Sequence, residues 1–401
     1  MKIKNNIKIA ATLIVALNSV TFLAEANENL ISTAQLDNNI SKPSNDFSHY
    51  SFPISAKTEL NPIHQAPNTS SDEYWFQVTG SELNKGVTVN TTQPDAVIRI
   101  TQGRSKSAQK RASDLDTSLL KLSSVLSPQN SAIGQIISKK QLADIGVFDN
   151  TVVLKTESKI AAGALQLRSS QSLNSDDTYM ISVKEKGSKY RLNLSMPAQS
   201  YTENDLVRAS AKILSGDTIL KPDNLKATLV APDGKQSPVK FSIDKQGSIS
   251  LKLIHPKHII APIKGLYEIK LEASGMENNL RVQRNAKLAL AFTNNSARLA
   301  KVSLDPQAAF ASLNVLVKQN SRFEVRGVLF GTNYDGELVP VMETHAAKTL
   351  PVGINKLRLP FDIKILSASN VSPPFELRSV RLFDQGQLGL VDSLATNVKA
   401  L

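Results

Sequence analysis

The chain contains no cysteine. Disulfides, thiolate metal sites and a lipid attached to a processed N-terminal cysteine are thereby excluded. Aromatic residues make up only 5% of the 401 residues, with one tryptophan, so few rings are available to stack nucleobases and no nucleic acid partner is expected. Beyond the first two dozen residues no run is long and apolar enough to cross a bilayer as a helix, which takes about 20 mostly apolar residues. Common catalytic signatures are missing as well. There is no Gly-x-Ser-x-Gly elbow, no His-Glu-x-x-His helix and no glycine-rich phosphate loop ending in Lys-Ser/Thr. No cofactor or metal is expected.

What is present begins with an export signal. Lys2, Lys4 and Lys8 precede the apolar run 9–17, which continues through Val20, Phe22 and Leu23 to Ala24-Glu25-Ala26. A positive segment, an apolar segment and a small-x-small site in that order predict a signal peptide cleaved near Ala26. The mature product is then expected in the periplasm or outside the cell. The whole chain holds 47 Lys and Arg against 35 Asp and Glu, a net +12; loss of residues 1–26 lowers this to +10. A basic surface keeps the protein soluble by self-repulsion and favours anionic partners.

Residues 27–70 are rich in Asn, Ser, Pro and Thr, with Pro43, Pro53, Pro62 and Pro67 spread along them. Their isolated apolar residues bury too little surface to offset ordering entropy. The stretch reads as a flexible leader, or one that drapes over the first domain, with Tyr50-Ser51-Phe52 able to dock as an edge strand. His49 and His64 fall within it. From Tyr74-Trp75-Phe76-Gln77-Val78 onward, short β-rich runs take over, among them Ala96-Val97-Ile98-Arg99-Ile100, Thr151-Val152-Val153-Leu154, Tyr179-Met180-Ile181-Ser182-Val183 and Tyr190-Arg191-Leu192-Asn193-Leu194. Several alternate apolar and polar, the period of a strand with one face on a core. Glu185-Lys186-Gly187-Ser188 between the last two reads as a hairpin turn. Leu115, Leu119, Leu122 and Leu126 instead recur at helical spacing behind a capping-box-like Ser113 and Asp116, predicting an amphipathic helix on the sheet. A second helix is expected near 138–143. Residues 71–198 thus read as a β-sandwich with a helical insertion.

Two further units follow. In 199–295, strands such as 206–211, 225–230, 239–243, 249–253 and 265–271 are separated by Ala231-Pro232-Asp233-Gly234-Lys235 and Asp244-Lys245-Gln246-Gly247. Turns at this spacing without a cysteine pair mark an immunoglobulin-like sandwich. Tyr267 stands where such folds place a corner tyrosine, whose hydroxyl bonds to nearby backbone; an ordinary core aromatic is the alternative. In 296–401 the same rhythm recurs without residue identity, with Pro340 and Pro360 expected at strand edges or ends.

Candidate chemistry is sparse. His255 and His258 flank Pro256, which breaks any helix that would align them, so a metal site there needs outside ligands. His345 stands alone in an expected turn. Asn174-Ser175-Asp176-Asp177 and Asn333-Tyr334-Asp335-Gly336 fit turns better than calcium loops. Two basic clusters remain: Arg104, Lys106, Lys110 and Arg111 in one loop, and Lys184, Lys186, Lys189 and Arg191 around one hairpin. Either could hold an anionic glycan, a lipid headgroup or an acidic protein partner, or be a solvated loop.

The start Tyr74-Trp75-Phe76-Gln77-Val78-Thr79-Gly80, the strand at Gly265-Leu266-Tyr267 and the segment 323–332 resemble domain-of-unknown-function family 4785, three-domain exported bacterial proteins, over about residues 71–400. The resemblance implies an N-terminal domain of its own kind followed by two immunoglobulin-like domains. It also implies a type II-like secretion route, and so contact with secretion machinery, and it brings no catalytic residues. The expected function is a secreted, non-enzymatic, multi-domain binding protein. The alternatives are a secreted hydrolase using Asp95, Asp114 or Asp116 in the first domain, and a module that adds a strand to a partner's sheet edge.

Overall fold

The structure, a computed structural model, describes residues 47–60, 66–105, 110–146, 150–160, 162–202, 205–253, 265–306 and 309–400. The export signal, most of the leader, His64, Lys106 and the His255/His258 pair lie outside them. The chain is mostly β, and three principal hydrophobic cores each lie between two sheets.

In the first domain, a five-stranded sheet runs Glu73–Thr79, Asp177–Lys184, Val97–Ser105, Thr151–Thr156, Ile133–Ile137. It packs on a four-stranded sheet ordered Val87–Thr91, Gly163–Ser169, Leu120–Ser124, Ser127–Ser131. Alternation builds the core. Ile98 and Ile100, and Tyr179, Ile181 and Val183, point inward against Val89, Leu122, Leu165 and Leu167. Two six-residue helices attach, Gly80–Lys85 and Lys139–Asp144. Each starts on a reciprocal capping box, Thr79 with Glu82 and Ser138 with Gln141, which satisfies orphan N–H groups at the first turn. The second is the helix expected near 138–143.

The helix expected from Leu115 to Leu126 is not formed. Asp116 does cap a turn, accepting from Ser118 N, but the turn is a 3-10 helix of three residues, Thr117–Leu119. The chain then enters the strand Leu120–Ser124. Leu122 serves both periods, and the strand period wins because Leu120 and Leu122 reach the core while pairing with Gly163–Ser169. A helix would have aimed Leu126 at the same core; that side chain is instead 93% exposed in a turn.

The strand Tyr190–Ser195, expected to close the first domain, belongs to the second. Tyr190, Leu192, Leu194 and Met196 join the second core. Glu185–Ser188 is therefore a junction between domains and not a hairpin: Asp177–Lys184 and Tyr190–Ser195 lie in different sheets. The second domain's larger sheet runs Lys240–Ile243, Ile249–Leu253, Val207–Ser215, Tyr190–Ser195, Asn68–Ser71, with Thr218–Leu220 beside Val207–Ser215. It faces a sheet ordered Ser200–Tyr201, Leu280–Phe292, Tyr267–Glu277, Asn224–Val230, Gln236–Pro238. Tyr267 is a core aromatic. Its ring meets Phe292 edge-on at 4.9 Å, and among the described residues its hydroxyl makes no hydrogen bond, so no corner bond forms there.

The third domain pairs a three-stranded sheet, Ala297–Asp305, Phe310–Val317, Gly353–Pro360, with a larger one ordered Ser48–Pro53, Leu338–Leu350, Ser321–Thr332, Ser372–Asp384, Gly389–Ser393. Val398–Ala400 pairs at the edge of Ser372–Asp384. Pro360 ends its strand, and Pro340 sits at a bulge where the register slips. Both N-terminal strands are borrowed: Tyr50-Ser51-Phe52 does dock as an edge strand, but on the third domain, and Asn68–Ser71 docks on the second. The described part of the leader thus runs along the third and second domains and not the first.

Both junctions are hydrogen-bonded. Between the first and second domains, Arg284 is wholly buried. It donates to Glu185 Oε2 at 2.5 Å, Ser188 Oγ at 3.0 Å and Tyr190 O at 2.9 Å. Glu185 also accepts from Thr92 N and Thr92 Oγ1. Removing one member would leave a buried charge, at a cost of about 3–5 kcal/mol. Between the second and third, buried Asp384 accepts from Ser296, Ser321, Gly386 N and Gln387. Gln387 in turn accepts from Asn294 N, and Leu390 N donates to Ser200 Oγ.

Candidate functional site

The first basic cluster keeps its described members together, and the second is divided between two domains. Arg104 and Arg111 face each other across a backbone bridge and, with Lys110, are exposed. The second cluster straddles the domain junction. Lys184 is tied to Asp72 at 3.0 Å and Glu73 at 3.6 Å. Lys189 reaches Glu277 at 3.2 Å and lies over the Tyr190 ring. Lys186 stays on the exposed turn. Of the four, Arg191 joins a larger basic surface.

That surface is the outer face of the second domain's larger sheet. The strands alternate strictly: Val207, Ala209, Ala211 and Ile213 enter the core, so Arg208, Ser210 and Lys212 face out. Ile249, Leu251 and Leu253 enter it likewise, leaving Ser250 and Lys252 outside. Antiparallel register then aligns the outward residues in rows. Lys240 lies opposite Lys252, and Lys252 opposite Arg208. The next row is Ser242, Ser250, Ser210 and Ser195, ending at Asn68. A third row holds Lys212, Asn193 and Ser70, and Arg191 follows beside Leu214.

No strand of this sheet carries an Asp or Glu. Its five cations, Arg191, Arg208, Lys212, Lys240 and Lys252, are exposed, and among the described residues none is paired with a carboxylate. Like charges set directly opposite across strands repel. The nearby acids sit in the turns at the strand ends: Asp205 accepts from Thr202, Asp244 from Ser248 N, and Asp217 follows Gly216. The face is thus an open positive field with hydroxyl and amide groups between its charges. The signal was present in the sequence as outward Arg-x-Ser-x-Lys at 208–212 and Ser-x-Lys at 250–252. What aligns them, the register, was not.

The outer face of the third domain's larger sheet is equally rich in charge but self-paired. Arg326 donates to Glu324 at 2.8 Å, and Arg378 to Glu376 at 2.6 Å. Arg381 lies 3.4 Å from Glu343. Arg326 also lies over Phe383 and Arg378 over Phe330. His345, expected to be solvated in a turn, is buried on the strand Leu338–Leu350, because Tyr50 of the borrowed strand stacks on it at 4.6 Å. Its Nδ1 lies 2.8 Å from Glu324 Oε1. Burial alone would raise the Glu324 pKa, but hydrogen bonds from Arg326, His345 and Gln385 outweigh it and hold the carboxyl at about 2.

The carboxylates considered for hydrolysis are each engaged. Asp95 bonds Lys155 and Ser158, Asp114 bonds Lys139 and Gln102, and Asp116 caps Ser118. Those hydrogen bonds, led by Lys155, Lys139 and Ser118, hold all three pKa values below the usual carboxylate range. The loops at Asn174–Asp177 and Asn333–Gly336 are hydrogen-bonded turns.

Known proteins resemble this architecture. The N-terminal domain of DUF4785, a domain of unknown function, matches residues 39–185, and its C-terminal domain matches residues 295–401. The chain belongs to the DUF4785 family. A crystal structure of a DUF4785 family protein from Legionella pneumophila overlays with a TM-score of 0.64 at 22% identity, covering 89% of this chain and 94% of that one. At that identity the likeness is one of fold. A tetra-tandem repeat from a large adhesion protein (17% identity, 83% of this chain and 74% of that one) overlays at a TM-score of 0.20. So does a Salmonella alpha-2-macroglobulin mutant (12% identity, 84% and 24%). No curated protein matches the chain.

Proposed function

We propose that this DUF4785 protein is a secreted, non-enzymatic binding protein that holds an anionic ligand against the acid-free face of its second domain. The observation that carries the reading is the alignment of Lys240, Lys252 and Arg208 in one row without a carboxylate on any strand of the sheet. An anion there replaces mutual repulsion by attraction, and a charged field of this kind also speeds encounter with anionic partners. Export is supported by the basic, apolar and small-x-small order of residues 1–26, and a type II-like route for the folded protein belongs to the same proposal. The hydrolase alternative is disfavoured by Asp95, Asp114 and Asp116, each held ionised in a structural contact.

The test is retention of the purified mature protein on sulfonated beads across a salt series. Retention should fall steeply with salt and be lost in Arg208→Glu/Lys252→Glu, while Lys110→Glu/Arg111→Glu leaves it nearly unchanged. The opposite ranking would move the site to the first domain and sink the reading. Fractionation tests export: the expected product lacks residues 1–26 and lies beyond the inner membrane, and an intact cytosolic precursor would contradict it.

A further inference from the structure

We infer that the anionic ligand of this face is a linear acidic polysaccharide, bearing a carboxylate or sulfate on each repeat, laid across the strands. The inference rests on the anion-binding reading above and names the class of ligand within it. Four features of the face select that class.

The first is how the charge is spread. A small anion is held by donors that converge on it, in a concave nest or between paired side chains. Here the cations of one row leave neighbouring strands of one open sheet face, each on its own strand. The charge of the row Lys240, Lys252, Arg208 is spread over three adjacent strands, roughly 10 Å at a strand spacing of about 4.8 Å. Such a row is matched by a ligand with repeated charges.

The second is what lies between the charges. Ser242, Ser250, Ser210 and Ser195 form an unbroken hydroxyl row across four strands, continued by Asn68, and Asn193 and Ser70 continue the row of Lys212. Ser195 and Ser210 bond each other at 2.9 Å. Among the described residues Ser242 and Ser250 make no side-chain hydrogen bond. Hydroxyls both donate and accept, so they complement sugar hydroxyls, whereas a phosphate chain offers only acceptors.

The third is the lack of rings and greasy side chains in these three rows. Base stacking needs an aromatic platform, and interfacial membrane binding needs apolar side chains to insert. The outward residues of the three rows are Lys, Arg, Ser and Asn only. The fourth is direction. Asp205, Asp217 and Asp244 stand at strand ends. A polyanion running along a strand would meet them; one crossing the strands meets cations and hydroxyls.

The experiment is calorimetric titration of the full mature protein at low salt with three probes. These are polygalacturonate oligomers of increasing length, inorganic polyphosphate of matched charge, and phosphatidylglycerol vesicles. The expected result is affinity for the galacturonate oligomers that climbs with each added repeat and levels off once the sheet width is covered. Binding should be at least tenfold tighter than for polyphosphate, with none to vesicles. Lys252→Gln should weaken galacturonate and polyphosphate binding alike. Ser210→Ala/Ser250→Ala should weaken the galacturonate by about three- to tenfold and the polyphosphate less, since sugar hydroxyls use the serines both as donors and as acceptors while phosphate uses them only as donors. These surface changes leave the core untouched, and circular dichroism checks the fold. If polyphosphate or vesicles bind as tightly as the oligomers, or the serine variants change nothing, the polysaccharide assignment fails and anion binding stands. If no anionic probe binds, both fail.

Discussion

The second and third domains share a sandwich architecture and differ in how their larger sheets treat charge. On the third, Arg326, Arg378 and Arg381 are matched by Glu324, Glu376 and Glu343, and all three guanidinium groups also lie over aromatic rings. The ion pairing on that face is supplied by its own residues. On the second, Arg208, Lys240 and Lys252 stand opposite one another with no acid on the strands. Its electrostatics are completed by salt or by a partner. A self-paired face contributes to the stability of its domain, while an unpaired one gives some up in exchange for attraction to whatever carries the opposite charge.

The contrast can be broken at its strongest point by removing a carboxylate from the paired face. Glu324→Ala leaves Arg326, His345 and Gln385 without their acceptor and should destabilise the third domain by about 3 kcal/mol, read as a lower midpoint in urea unfolding. An unchanged midpoint would show that the pairing is ornamental. Acid titration sharpens the same point. Glu324 is held at about 2, below its ordinary 4.5, so its contribution is complete above about pH 5. It should be lost as pH falls from about 4.5 towards 2, on the order of 3 kcal/mol in all. In Glu324→Gln this acid-dependent loss should shrink, and an identical pH profile for both proteins would contradict the assignment.

Smaller effects probe the borrowed strand and the unpaired face. Tyr50→Ala removes the ring stacked on His345 and should cost about 1 kcal/mol, with faster amide exchange along 342–347; exchange as slow as in the parent would argue that the backbone ladder alone holds the strand. Lys252→Gln should change stability in the opposite direction, by about +0.5 kcal/mol at low ionic strength, because it relieves repulsion from Lys240 and Arg208. That gain should vanish near 1 M salt, where the screening length falls to about 3 Å. A gain that persists at high salt would have another origin.

Much of the fold was legible because alternation is local. Val97–Ser105, Asp177–Lys184 and Val207–Ser215 each show period two in the chain itself. The helix Lys139–Asp144 formed where one was expected, near 138–143. The errors came where a local pattern had two solutions. Leu115, Leu119, Leu122 and Leu126 fit a helix, but Leu120 and Leu122 also fit a strand, and the neighbouring strand Gly163–Ser169 decided it. Glu185–Ser188 looks like a hairpin turn locally; only Arg284, 99 residues on, makes it a domain junction. His345 looked solvated because Tyr50, which covers it, is nearly 300 residues away. For the candidate face, Arg191 was recognised as basic, yet its companions were not, since their grouping depends on which strands are neighbours.

The sequence by itself determined the strand rhythm, the absence of any disulfide or thiolate site and the positive charge, because each follows from side-chain chemistry and spacing within a few residues. Only the tertiary structure decided where charge is paired and where it is left open. Pairing across a sheet depends on register, and register is set by which apolar faces meet in the core, not by the polar residues that end up side by side on the surface.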